Sequence, residues 1–462
     1  MKTKLLSVLL ILVVLASLAA CGGPDKTGQG GAEGLPKEEK LQKSNETLEP
    51  FRKEATLTET VMMDEGGVKI TATGLTYTES SADLAITIEN NSGKDLSFTS
   101  GSLGYSCNSV NGYMVSDGYL NCDVLNGTVA NDVISFSYDA LMLYGINEIA
   151  DIEIGFDISD ADYNSIYFNS PPVCTSASEG HDYETDHYQQ TITSQAAMNT
   201  YDYELLHFSQ DLLYEQERVE LLSSSVIVNQ DGETALLLEL ENTGDKMVYV
   251  STSDIGINGL TATTFLWSRS AVAPGKRCIV DVQLDKVLEP SWQSVYGIDE
   301  IGEISLSIGL MDEQWMNVAE KMPVEIAIPG VKASFDDKGT EVYNKNGLRM
   351  VAKTVLQDDS DYSSDCHVLL LLENNSGNTL DIRDVPDSLS VNGMMSDYSF
   401  SFNELKDGGS AVLSITLPED ALEMNQITSP QEIKEIKVSF EIHNDREMID
   451  EPTVTMAFEE EE

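Results

Sequence analysis

Glu148-Ile-Ala-Asp-Ile-Glu-Ile-Gly-Phe-Asp-Ile158 has two relatives in the same chain, Glu300-Ile-Gly-Glu-Ile-Ser-Leu-Ser-Ile-Gly-Leu310 and Glu432-Ile-Lys-Glu-Ile-Lys-Val-Ser-Phe-Glu-Ile442, and all three align without a gap. From Ile152, Ile304 and Ile436 onward every second residue is apolar, the period of a strand with one buried face. A helix cannot gather that pattern on one side. The stretch therefore decides for an all-β chain, and its recurrence decides for internal repeats.

Working outward, a second shared unit precedes it: Leu84-Ala-Ile-Thr-Ile-Glu-Asn90, Leu236-Leu-Leu-Glu-Leu-Glu-Asn242 and Val368-Leu-Leu-Leu-Leu-Glu-Asn374. Each runs into a glycine within a few residues (Gly93, Gly244, Gly377), as a strand entering a turn does. A third unit is Val110-Asn-Gly112, Ile257-Asn-Gly259 and Val391-Asn-Gly393, where Asn-Gly tolerates the positive φ angles of a tight hairpin. A fourth opens each copy (Val61 to Ile70, Leu212 to Leu221, Val342 to Met350), and a fifth closes it after Pro172, Pro323 or Pro452. About seven short strands per copy, with turn signals between them, predict three tandem immunoglobulin-like antiparallel β-sandwiches. The boundaries read from the pattern are 57–176, 201–330 and 331–462. An insert over 177–200 has no counterpart elsewhere, one helical turn is expected near Asp285 to Glu289, and the run Glu459 to Glu462 reads as a solvated tail.

The amino terminus has a different logic. Lys2 and Lys4 precede an apolar run from Leu5 to Leu18, shorter than a membrane span requires, and then come the small residues Ala19 and Ala20 before Cys21. This is the layout of a secretory signal. Leu18-Ala19-Ala20-Cys21 resembles the lipobox of bacterial lipoproteins, which implies cleavage before Cys21 and a diacylglyceryl anchor on its thiol. Residues 1–21 are thus expected to be a signal peptide. Residues 22–56, rich in Gly, Lys, Glu and Gln through most of their length, are expected to be a flexible tether. The expected location is the outer face of the cell membrane.

The repeat motifs carry a second resemblance. A strand like Gly67-Val-Lys-Ile-Thr-Ala-Thr73, the strand ending in Glu-Asn and the late Glu-Ile-x-x-Ile strand together resemble the telokin-like, immunoglobulin-like extracellular domains of bacterial lipoproteins. The resemblance covers nearly everything after Leu57. It implies fold and location, and it brings no catalytic signature.

Composition limits the partners. With 27 basic against 78 acidic residues the formal net charge is −51, and removal of Lys2 and Lys4 makes the mature chain more acidic still. Nucleic acid is excluded as a partner, because phosphate binding needs a basic footprint. Besides Cys21 there are five cysteines. Cys107 and Cys122 flank an Asn-Gly turn and are the candidate disulfide in an oxidising compartment, while Cys174, Cys278 and Cys366 fall one to a copy. No C-x-x-C or cysteine–histidine cluster supports a zinc or thioredoxin-type site.

Chemistry is sparse. Five histidines serve the whole chain and none stands in a G-x-S-x-G or H-E-x-x-H setting; no phosphate or dinucleotide loop follows a strand. His181-Asp-Tyr-Glu-Thr-Asp-His187 could ligate a transition metal, though an acidic linker is the plainer reading. Asp358, Asp359, Asp361 and Asp365 crowd one loop. A nonstandard calcium site there competes with a plain acidic loop, since the glycine and closing glutamate of an EF-hand are missing. Trp267, Trp292 and Trp315 all fall in the second copy and are the candidate ligand-binding side chains for a glycan or protein, with core packing as the alternative for most of them. The functional expectation is a non-enzymatic binding or adhesion protein; the alternative is a structural or accessory lipoprotein of an envelope complex.

Overall fold

The computed structural model describes residues 46–101, 107–262, 269–358, 364–402, 404–444 and 447–458. The expected signal peptide with Cys21, most of the expected tether, Trp267, Asp359, Asp361 and the terminal Glu459 to Glu462 lie outside the described residues. What is described is all-β, built of sheets that are antiparallel apart from two short parallel junctions, with a few short helices.

The chain divides into two compact units, the first comprising residues 1–251, 268–282 and 310–320 and the second residues 252–267, 283–309 and 321–462. The strands of the second repeat are shared between them. In the first unit Thr60–Glu65, Val68–Tyr77, Ser81–Asn90 and Thr128–Ser137 form a sheet in that spatial order, with Thr128–Ser137 at its edge. Alternate residues of Ser81–Asn90 are buried, so Leu84, Ile86 and Ile88 join Phe98, Ile152 and Phe156 in one apolar core. The core of the second unit repeats the scheme with Val368, Leu370 and Leu372 against Ile382, Ile436 and Phe440.

Two asparagine positions in each repeat explain why the motifs are spelled as they are. Asn90, Asn242 and Asn374, which end the Glu-Asn strands, are fully buried. Each Nδ2 donates to two carbonyls: Lys94 and Val124, Lys246 and Val272, Asn378 and Leu405, at 2.7–2.9 Å. Each Oδ1 accepts a backbone N–H two residues on, from Ser92, Gly244 or Ser376. The three Asn-Gly turns are tight hairpins with positive φ at both residues, 49° and 84° at Asn111 and Gly112, 54° and 83° at Asn258 and Gly259, 50° and 80° at Asn392 and Gly393. Their side chains also clamp the late strand. Asn111 Nδ2 donates to the Glu148 carbonyl, Asn258 to Glu300 and Asn392 to Glu432, while each Oδ1 accepts two N–H groups at the strand's start. The repeated Glu-Ile-x-x therefore wraps an asparagine, and the ladder begins only at Asp151, Glu303 and Glu435.

Two local differences from the sequence pattern stand out. The first late strand is broken at Ile154 into Asp151–Glu153 and Gly155–Asp160, because Ser170 Oγ accepts the Ile154 N–H (2.9 Å) in place of a ladder partner. The insert forms two short helices, His187–Ile192 and Gln195–Tyr201, the second capped by Ser194 Oγ accepting from Ala197 N. The expected turn near Asp285 is helical over Leu284–Val287.

Candidate functional site

The densest polar chemistry lies in the first unit, where the Asn-Gly hairpin of the first repeat meets a strand of the second. Tyr113–Val115, the outer strand of that hairpin, lies parallel to Arg277–Gln283 with Tyr113 opposite Arg277, and the Arg277 N–H donates to the Gly112 carbonyl at 2.9 Å. The Arg277 side chain reaches Asp186 (2.7 Å), Glu239 (3.3 Å) and Glu241 (3.8 Å). Glu239 is wholly buried. Its Oε1 also accepts from Tyr113 Oη (3.2 Å), and its Oε2 accepts from Gln189 Nε2 (2.7 Å) and Ser223 Oγ (2.9 Å). Burial works against the guanidinium's charge, but the Asp186 hydrogen bond with Tyr113, Glu239 and Glu241 carries its pKa above the ordinary value. Burial likewise pushes the Tyr113 phenol up, with Glu239 adding to it. Both oxygens of Glu239 are engaged, so this cluster is a clamp between repeats rather than a poised proton-transfer pair. Beside it Lys276 pairs with Glu153, both largely buried.

Sequence reasoning passed over this cluster, although it left a signal. Glu239 interrupts an apolar run where the third repeat has Leu371, and a buried acid demands a cation. Arg277, in a chain with few basic residues, stands where the equivalent strand of the third repeat begins with Ser410.

His181 and His187 are brought together, their rings stacked with centroids 5.4 Å apart, and His187 Nε2 sits 2.9 Å from the Asp182 carbonyl oxygen. Tyr183 packs edge-on to His181 and donates to Asp151. Burial, then the neighbouring His187, lowers the His181 pKa. The pair borders a cavity of about 40 Å³ with Arg52, Asn111 and Tyr113, and His187 also lines a wider cleft of about 330 Å³ with Leu48 and Met142. Among the described residues no three His, Cys, Asp or Glu side chains gather as a metal cage.

The other candidates are dispersed. Trp292 is buried in the helix Pro290–Val295, 5.5 Å from the His367 ring, whereas Trp315 is 43% exposed on a turn with φ of 63° and lies against Tyr249 at 4.7 Å. The Asp358 N–H donates to the Asp365 carbonyl (2.8 Å), and Asp365 Oδ1 accepts from Glu419 N (2.9 Å). Cys107 and Cys122 are two free thiols in different settings, Cys107 beside Ser116 Oγ (3.6 Å) and Cys122 beside Asp132. Burial raises both thiols' pKa.

No family model matches the chain, and no curated protein matches it. Among solved structures, one concerning host-cell-surface retention of a 1.5-MDa bacterial ice-binding adhesin is 10% identical, over 81% of this chain and 90% of that one, with a TM-score of 0.13. A protein of unknown function from Porphyromonas gingivalis W83 is 12% identical over 49% of this chain and 91% of that one, TM-score 0.15. The exo-chitosanase of Amycolatopsis orientalis is 11% identical over 51% of this chain and 26% of that one, TM-score 0.16. Likenesses of this size assign neither a family nor an activity.

Proposed function

We propose that the chain is a lipid-anchored, extracytoplasmic binding protein that acts without catalysis, its anchor on Cys21 and its ligand a glycan or a protein. One observation supports this reading most: the buried charged cluster at Glu239 and Arg277 is spent on joining two repeats, with both carboxylate oxygens of Glu239 engaged. The chain's costliest polar groups thus serve the array. Trp315, exposed on its turn, supplies the type of flat amphipathic surface that sugars and proteins dock on. The resemblance of Leu18 to Cys21 to a lipobox supports the location.

The test is direct binding of the chain to wall polysaccharides, mucin-type glycans and matrix proteins, with calcium and with chelator. Saturable binding weakened by Trp315→Ala supports the reading. Binding to none of them moves the weight to a structural or accessory lipoprotein that meets only its own envelope neighbours, a reading favoured by the open sheet edges at Thr128–Ser137 and at Met394–Met395.

A further inference from the structure

Two strand junctions in this chain follow one register. In the first unit Tyr113, the residue after Asn111-Gly112, stands opposite Arg277, two residues past Gly275. In the second unit Leu260, the residue after Asn258-Gly259, stands opposite Ser410, two residues past Gly408. In both cases the receiving strand is the one that pairs with a Glu-Asn strand. The same rule applied to the unmatched pieces leaves one donor and one acceptor. The third hairpin ends in Met394–Met395, at the edge of its sheet, and the first repeat's equivalent receiving strand is Thr128–Ser137, also an edge. Gly127 donates to the Asn90 carbonyl as Gly275 does to Asn242 and Gly408 to Asn374, which sets Val129 level with Arg277 and Ser410.

Exposure separates the open ends from the joined ones. Tyr113 and Leu260 are 4% and 1% exposed, whereas Met394 and Met395 are 42% and 60%, and Val129 is 60%. Leu125 and Val133 flank Val129 and are exposed, and Met424 is exposed next to Asn425, whose Nδ2 donates to the Met395 carbonyl. That carbonyl is not needed: the register at Gly112 and Arg277 uses the carbonyl of the turn glycine, the N–H and carbonyl of the receiving residue, and the N–H one residue beyond the hairpin's first. The Val133 N–H is taken by Asp132 Oδ1, so the free edge is short, as both internal junctions are.

We propose that Met394–Met395 of one copy adds in parallel to Thr128–Ser137 of a second copy, with Met394 opposite Val129, so that copies associate head to tail by the junction already used twice within the chain. The contact is heterologous, and each added copy offers a fresh edge. Its side chains are methionines against Leu125, Val129 and Val133, without the ion pairs of the Arg277 junction. Apolar contact between strongly acidic chains strengthens as salt screens their repulsion. The proposal stands whether or not the chain binds an external ligand.

The experiment is sedimentation of the full chain at concentrations up to about 100 μM and at low and high salt, together with oxidative cross-linking of Val129→Cys mixed with Met394→Cys. Expected are salt-promoted dimers and higher species, and a 129–394 disulfide that forms in the mixture and in neither variant alone. Val129→Pro and Met395→Pro each remove an outward N–H at a sheet edge, a place where proline is tolerated, and each weakens association about tenfold or more with circular dichroism unchanged. A chain monomeric under all conditions overturns the proposal. So does association that either proline variant leaves intact, or cross-linking confined to Cys174 and other native thiols.

Discussion

Tyr113 and Arg277 are 164 positions apart in sequence and face each other as parallel strand partners, while their side chains meet again on the buried carboxylate of Glu239. Main chain and side chain make the same junction. Removing one member of such a group leaves the others buried without compensation, and that asymmetry sets the first expectation.

Arg277→Met destabilises the chain by about 3–5 kcal/mol, because Glu239 keeps its burial and loses its cation. Combining it with Glu239→Leu recovers much of the loss. Denaturant unfolding of the two single variants and the double variant gives the coupling, and simple additivity would mean that the residues act separately.

Asp281 lies on the same strand, and burial pushes its carboxyl from 3.8 up to about 6. A raised carboxylate pKa favours the protonated folded form, so its penalty is absent at low pH and grows as pH rises from the ordinary value through about 6. Asp281→Asn is therefore expected to stabilise the protein by about 2 kcal/mol near neutral pH and by little near pH 4. Unfolding at the two pH values checks this.

His181 works in the opposite sense. Burial and His187 lower its pKa, so the stability it contributes is present above the ordinary histidine value and is lost as pH falls through the folded one. Melting temperature should fall on acidification through that range, and His181→Phe should flatten the slope. An unchanged slope would place the titration elsewhere.

The second repeat makes its opening hairpin turn with Glu217 and Arg218 at φ of 50° and 65°, where the others use Gly66-Gly67 and Asn346-Gly347. The Arg218 carbonyl accepts from Thr243 as Gly67 does from Asn91 and Gly347 from Asn375. The turn is the same and its residues are ill-suited to it. Replacing Glu217-Arg218 with Asn-Gly should stabilise the chain by about 1–2 kcal/mol in thermal or denaturant unfolding.

Trp292 and Trp315 should separate. Trp292→Ala leaves a hole in packed surroundings and costs about 3 kcal/mol or more. Trp315→Ala, on an exposed turn, costs little stability and tests binding instead.

Much of this fold was legible because period-2 alternation and Asn-Gly turns are local signals, readable at Ile152 to Ile158 or at Asn258-Gly259 without knowing any partner. What the sequence did not show was pairing between repeats. A parallel contact of one or two rungs, such as Leu260 and Thr261 with Ser410 and Ala411, leaves no periodicity of its own. The break at Ile154 was hidden for a similar reason, since the hydroxyl that causes it belongs to Ser170. The site fared worse. The tryptophans and aspartates were chosen for residue type, whereas the group that does assemble, Glu239 with Arg277, Gln189, Ser223 and Tyr113, draws its members from five separate elements.

The claim that the repeats are joined through their main chains is tested most directly by native-state hydrogen exchange at two equivalent amides. The Arg277 N–H, bonded to the Gly112 carbonyl, should exchange about 100-fold or more slowly than the Val129 N–H in dilute chain. Equal rates at the two positions would contradict the junction.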